Sequence, residues 1–331
     1  MLKFLLRRFA NYLVLVALAT CLGYFLAASS LNPRSNYEGR NPRPSQESIE
    51  AKLNELNLND KTPVFERFTT WAGNFLQGDM GQTIHERPVW EEMKRRMGVS
   101  LRLLLLGSII GAMAGVAIGA LGAVKQYSWF DHGSTGLSFV LLSTPVFVLA
   151  VALKMVANRY WNPYIPDDWF LNLNFVGEKT PGVAGGSWAL LSDRLSHLIL
   201  PTLGIVLSQM AFYSRYQRNS FLDVIGADFL RTAQAKGLRR RTALIKHGLR
   251  TALIPMATFF AYSFGLLITG ATFTEKIYGW HGMGEWFIDS INQNDVNVVA
   301  AFIVFSAVLI LLAGLIADVL YAALDPRVRV R

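Results

Sequence analysis

Long apolar runs separated by short polar segments dominate the pattern of this chain. About 20 helical residues cross a hydrocarbon core of roughly 30 Å, where every backbone polar group needs a hydrogen bond. The pattern therefore predicts an all-α integral membrane protein with six spanning helices. These helices cover Phe9–Ser30, Val99–Val124, Gly133–Ala157, Leu195–Tyr213, Leu253–Phe273 and Val298–Leu324.

The first and fourth runs depart most from a plain spanning helix. Lys3, Arg7 and Arg8 precede the first run, as in a signal peptide, but the run is longer than the usual core of roughly 7–15 residues. We therefore expect a retained helix. The fourth run contains Pro201 and Gln209, and we expect a kink there that faces protein.

The positions of the basic residues predict the orientation. With the N-terminus inside, the inner segments are strongly basic and the three outer loops are slightly acidic, as the positive-inside rule requires. Both termini are then cytoplasmic. The net charge of +9 is a topology signal in a chain that is 52% hydrophobic, so nucleic-acid binding is disfavoured.

The predicted spans divide the chain into three regions. Residues 1–30 form the N-terminus and first span, residues 31–98 an external loop, and residues 99–331 a five-helix core. The external loop contains amphipathic stretches at Ser45–Leu58, Phe65–Phe75 and Trp90–Met97. We expect a small cap on the spans, and a docking surface or an outer gate remains the alternative.

No catalytic, cofactor or metal constellation is found in the sequence. Five histidines are scattered, and there is no His-Glu-x-x-His, Cys-x-x-Cys, Gly-x-x-x-x-Gly-Lys-Ser/Thr or Gly-x-Ser-x-Gly motif. Arg102 and Lys154 lie near outer helix ends, and Asp318 lies about two turns from an inner end. For Asp318 we expect a structural hydrogen bond, because a proton relay needs several such groups in register.

Uncharged polar residues indicate a candidate pathway through the spans. These residues are Ser208, Gln209, Ser263 and Thr269. An ion-coupled secondary transporter or a channel for small solutes is the alternative function. The lack of aligned ionisable groups counts against it.

Four glycines of the second run recur at every fourth residue and share one helix face. They are Gly107, Gly111, Gly115 and Gly119. Such a face allows close approach of another helix, either within the subunit or in a dimer.

The basic loop at 214–252, between the fourth and fifth spans, contains the most specific pattern. Asp223–Lys236 is predicted to be one helix, which Gly237 ends in the left-handed conformation. Arg239–Arg250 is predicted to form a second amphipathic helix. The alternative is a basic loop that only touches anionic lipid.

This loop resembles the cytoplasmic signature of ABC-importer permeases. Arg231–Gly237 followed by a basic helix and Leu249–Pro255 is similar to the first (B-type) permease of the dipeptide/oligopeptide group. Further matching pieces follow in family order. They are Gly78–Gly81 with Pro88-Val89, Ser143–Phe147, His197–Pro201, a span-five exit at Gly270, Glu275, Ile277 and Gly282–Gly284, and Leu324–Arg327.

The resemblance implies a type I importer fold and a mechanical role for the loop. The implied ATPase-coupling helix consists of Asp228, Phe229, Leu230, Arg231, Thr232, Ala233, Gln234, Ala235, Lys236 and Gly237. Phe229, Leu230 and Ala233 are the implied packing face, and Lys236 an electrostatic contact.

The implied partners make up a multi-pass complex in the bacterial inner membrane. They are a homologous second permease, two ATPase subunits that bind ATP and Mg²⁺, an external substrate-binding protein and a peptide substrate. This chain itself is implied to be non-catalytic.

Three departures from the family pattern accompany the resemblance. Arg231-Thr232-Ala233 replaces Glu-Ala-Ala, His281 stands where proline is usual, and Asn57 where glycine is common.

Overall fold

The computed structural model describes residues 2–39, 41–166, 169–174, 176–182 and 186–324. Side chains at 2–5, 257–258, 261–262, 264–267 and 269–270 lie outside this description, as does the predicted motif at Asp325–Arg327. The described residues contain helices and one isolated bridge, Gln82 to Pro88, and no strand. The expected all-helical class is confirmed.

Thirteen α-helices are found within the described residues. They are α1 (Leu2–Ser30), α2 (Ser35–Glu38), α3 (Gln46–Glu55), α4 (Val64–Leu76), α5 (Val89–Val124), α6 (Trp129–Ser143), α7 (Val146–Val156), α8 (Ser187–Ile225), α9 (Asp228–Ala235), α10 (Arg240–Ala243), α11 (Arg250–Tyr278), α12 (Met283–Asn292) and α13 (Val296–Leu324). A π-helical turn and a short 3₁₀ turn follow α7, and a second π-helical turn, Leu244–Leu249, joins α10 to α11.

Four described helices, α1, α5, α8 and α13, are long and apolar enough to cross a membrane. The third predicted span is instead divided into two helices, α6 and α7, which meet at an angle of 108°. Thr144 is extended, as expected for the residue before proline, and Pro145 precedes α7. The fifth predicted span lies within α11, and the count of six stays a prediction.

One compact unit comprises Leu2–Leu101 with His281–Leu311. In its core, Tyr24 on α1 lies beside Trp71 on α4, with 5.1 Å between ring centroids. Leu53 on α3 and Val296 on α13 are buried in the same cluster. The amphipathic loop stretches therefore pack on helices of their own unit.

The predicted third amphipathic stretch, Trp90–Met97, is not a separate element. It forms the first turns of α5, which begins at Val89 and continues without a break through Gly98. The predicted helix at Ser45–Leu58 is shorter, spanning Gln46–Glu55. Its start is fixed by Ser45, whose hydroxyl accepts the Ser48 N–H at 3.2 Å.

The other unit comprises Arg102–Trp280 with the chain from Leu312 onward. Its longest helix, α8, runs continuously through the buried Pro201 and contacts α6, α7 and α11. The glycine stripe of α5 packs against α8. A Cβ built on Gly111 lies 2.6 Å from Gln209 Cβ, and one built on Gly115 lies 2.6 Å from Tyr213 Cβ. The stripe therefore serves helix packing within the chain.

Candidate functional site

The helix α9 spans Asp228–Ala235 and contains eight of the ten residues singled out in the sequence. The predicted continuous helix Asp223–Lys236 is wrong, because α8 ends at Ile225 and Ala227 is extended (φ −72°, ψ 143°). Glycine at position 226 favours this interruption, since glycine is a poor helix former. Asp228 lies in the first turn of α9, where negative charge complements the helix dipole.

Gly237 ends the α9 turn as the sequence predicts. Its φ of +91° lies in the region that favours glycine, and its N–H donates to the Gln234 carbonyl at 2.9 Å. The next N–H, from Leu238, returns to the Ala233 carbonyl at 3.2 Å. The chain therefore reverses direction within a few residues of α9.

Leu230 is the anchor of α9. It is 1% exposed and belongs to a cluster with Phe221, Val224, Ala243 and Leu244. Ala233 packs at the edge of the same cluster. These two residues of the expected packing face thus contact the chain itself.

Phe229 lies on the open side of α9 and is 43% exposed. Lys236, Thr232 and Gln234 are also exposed. Arg231 Nη1 lies 3.7 Å from Asp228 Oδ1. An exposed ion pair of this kind contributes little to stability. The outer face of α9 thus offers one aromatic ring and a set of polar groups to a partner.

The second predicted helix of the loop, Arg239–Arg250, does not end at Arg250. The π-helical turn connects α10 directly to α11. The loop is therefore continuous with the start of a long helix. Arg250 fastens this start by donating from Nε to the Leu324 carbonyl at 3.1 Å and from Nη2 to that of Ala323 at 3.3 Å.

An ion pair between Asp131 and Arg218 was not predicted from the sequence. Arg218 Nε lies 2.5 Å from Asp131 Oδ1 and Nη2 lies 2.8 Å from Oδ2. Asp131 also accepts the Tyr127 N–H at 2.9 Å. The pair joins the start of α6 to α8. Asp131, the one acid between the second and third predicted spans, was the available signal.

The residues of the predicted polar pathway lie in packed positions where they are described. Gln209 is buried against Gly111, and Ser263 Oγ lies 2.8 Å from the Tyr213 hydroxyl. Ser208 has a buried hydroxyl. The Thr269 side chain lies outside the described residues.

The charged groups expected near helix ends have partners in the described structure. Arg102 Nη2 lies 2.8 Å from Glu178 Oε2 in an ion pair. Lys154 Nζ donates to the Ile277 carbonyl at 3.3 Å. Asp318 also has an interaction partner. Among the described residues, no group of three potential metal ligands occurs.

Asp295 forms a second feature missed in the sequence, in the unit that contains α3 and α4. Its carboxylate accepts the N–H groups of Ile84 at 2.8 Å and Val298 at 3.2 Å. Burial raises the pKa of this carboxyl to about 6. The carboxylate thereby connects the segment before α5 to the start of α13.

Two departures from the family pattern have a local structural setting. Asn57 adopts a left-handed conformation (φ 57°), which asparagine tolerates better than most residues, and its amide donates to the Arg67 carbonyl at 2.9 Å. His281 Nδ1 lies 2.7 Å from Glu285 Oε2 on α12.

Comparison with known proteins identifies the relatives of this chain. The oligopeptide transport system permease protein OppB of Mycobacterium tuberculosis is 53% identical over the whole of both chains. The oligopeptide permease AppB of Bacillus subtilis is 37% identical over 87% of each chain, and the dipeptide permease DppB of Escherichia coli K12 is 34% identical over 84% of each. Residues 107–330 match the family model described as binding-protein-dependent transport system inner membrane component. With that match covering more than half of its length, the chain belongs to this family of inner membrane transport components.

Proposed function

We propose that this chain is one permease subunit of an ATP-driven importer for dipeptides or oligopeptides. The full-length similarity to an oligopeptide permease, at 53% identity, is the observation that carries the proposal. Similarity to a dipeptide permease extends over most of the chain as well. The chain forms half of the translocation path and leaves ATP hydrolysis to its partners.

In this proposal, α9 transmits the movement of an ATPase subunit to the spanning helices. Leu230 holds α9 against the ends of α8 and the α10–α11 segment, so a force on α9 is passed to both helices. Phe229 and Lys236 lie on the exposed side and make the contact with the ATPase. Aromatic rings are enriched at the centre of protein interfaces, and polar groups commonly form the surrounding rim.

The proposed complex contains this chain, a homologous second permease, two ATPase subunits that hold ATP and Mg²⁺, and an external peptide-binding protein. The chain crosses the inner membrane six times, with α9 and both termini in the cytoplasm. Peptide passes between the two permeases as access alternates between the two sides.

The test is peptide uptake by the assembled complex in proteoliposomes. We expect accumulation of a labelled oligopeptide only with the binding protein outside and ATP and Mg²⁺ inside. Accumulation driven by a proton or sodium gradient without ATP would support the secondary-transporter alternative and contradict the proposal. Accumulation without the ATPase subunits would contradict it equally.

A further inference from the structure

A groove lies beside the α10–α11 segment, against which α9 packs. It is lined by apolar side chains and has two arginines at its edge. Its volume is about 490 Å³. The walls come from the end of α5, from Phe221 on α8 and from the α10–α11 segment. The lining includes Leu121, Val124, Leu244, Ile245, Arg240 and Arg241.

The apolar part of this groove opens to the surroundings of the chain. Leu121, Val124 and Ile245 are 51%, 44% and 58% exposed, respectively. On the proposed topology, the end of α5 lies at the inner face of the membrane, so these side chains adjoin the acyl region. A hydrocarbon chain is the ligand that such a wall binds favourably.

The charged part of the groove is cationic and lacks an acidic partner in the described structure. Arg240 and Arg241 are exposed, and no ion pair joins either to an acid among the described residues. Lys125 directly follows the α5 wall. Guanidinium groups bind phosphate oxygens through paired hydrogen bonds, which suits a phosphodiester group.

We propose that this groove binds one anionic phospholipid of the inner leaflet, with an acyl chain along Leu121 and Ile245 and the phosphate at Arg240 and Arg241. The combination of hydrocarbon wall and phosphate-binding rim favours a lipid over a soluble anion. Because the arginines begin the segment that continues into α11, the bound lipid stabilises the base on which α9 is mounted.

The test uses the assembled transporter in nanodiscs of phosphatidylcholine with a minor fraction of phosphatidylglycerol, and native mass spectrometry of the released complex. We expect one retained phosphatidylglycerol per copy of this chain. In R240Q/R241Q the apparent affinity for it falls about tenfold or more, since each basic contact contributes roughly 1 kcal/mol and 1.4 kcal/mol is tenfold.

The matched control is R239Q/K246Q, which removes the same charge from the same loop at exposed positions that do not line the groove. We expect it to retain the lipid. Equal loss in both variants would indicate diffuse attraction and overturn the site. Retention of phosphatidylcholine as strongly as phosphatidylglycerol, or equal competition by inorganic phosphate, would also overturn it.

A second variant tests the apolar wall without changing charge. L121S/I245S alters two exposed side chains, and we expect reduced lipid retention at an unchanged melting temperature. Unchanged retention would contradict the acyl contact. Loss of an ATPase subunit from R240Q/R241Q with lipid retention intact would assign the groove to a protein partner instead. Neither readout depends on peptide transport.

Discussion

Asp295 shows how a single buried carboxyl makes part of the fold sensitive to pH. Burial raises its pKa to about 6 and outweighs the hydrogen bonds from backbone N–H groups, which favour the charged form. The unfolded chain has an ordinary Asp pKa of about 3.9, so between these values the folded state binds the additional proton. Its contribution to stability is therefore greatest at low pH and is lost as pH rises to about 6.

We predict that Asp295→Asn reduces this pH dependence. Relative to the variant, the wild-type complex should lose stability between about pH 4 and pH 6, by up to roughly 3 kcal/mol for a shift of about two pH units. Thermal melting of the solubilised complex across that range measures the difference. A constant difference between the two proteins across the range would contradict the assignment.

The glycine stripe gives a second prediction at the residue scale. Gly115→Val places a side chain against Tyr213 Cβ and the backbone of α8, so we expect destabilisation of about 1–3 kcal/mol or more. Gly136→Val is the matched control, because a Cβ there meets nothing within 4 Å. Melting temperatures of the two variants should differ clearly. Equal values would mean that α5 and α8 do not pack through this stripe.

The contrast between Leu230 and Phe229 sets the properties of α9 as an element. One side chain is enclosed by the chain's own helices and the other projects from it. A helix of eight residues is too short to be stable alone, so its position depends on the Leu230 anchor. In the proposed mechanism, Leu230 anchors α9 and the adjacent Phe229 contacts the partner.

We predict that substitutions at these two positions have separable effects. Leu230→Ala should destabilise the complex by about 2–5 kcal/mol, as for other buried leucines. Phe229→Ala should leave the melting temperature unchanged and lower the amount of ATPase subunit that co-purifies. Phe65→Ala, at an exposed ring on α4, is the control for loss of a surface phenylalanine. ATPase retention equal in F229A and F65A would exclude Phe229 as a contact.

The Asp131–Arg218 pair gives a prediction for the junction of α6 and α8. Arg218→Met alone leaves a carboxylate that is 3% exposed without its partner, so we expect a loss of about 3–5 kcal/mol. The double variant D131L/R218M should recover part of that loss. Melting of the three proteins forms the test, and a double variant less stable than R218M would contradict the packing.

Elements that depend on local interactions could be predicted from the sequence. Features that depend on contacts between distant segments could not. Apolar run length located the long helices, and Gly237 marked the end of α9, because both signals are local. The bend between α6 and α7, the burial of Leu230 and the Asp131–Arg218 pair depend on contacts between distant segments. The break at Gly226 and Ala227 was available in the sequence, but the apolar periodicity continues across it.

At the scale of the whole molecule, the chain is a non-catalytic transport component, and in the proposed mechanism it depends on movement of its partners. Family membership agrees with that role. The central claim is that α9, ended by Gly237, links an ATPase subunit to the spanning helices. If so, a change at the end of α9 should separate ATP hydrolysis from peptide movement.

The most direct measurement compares Gly237→Arg with the wild type in proteoliposomes, recording oligopeptide uptake and ATP hydrolysis together. The substitution puts a long charged side chain at a left-handed position where no atom lies within 4 Å of the new Cβ, so it alters the turn and the exposed face of α9 rather than the buried core. We predict at least a tenfold fall in peptide transported per ATP hydrolysed, with the complex still assembled. An unchanged ratio of uptake to hydrolysis would contradict the account.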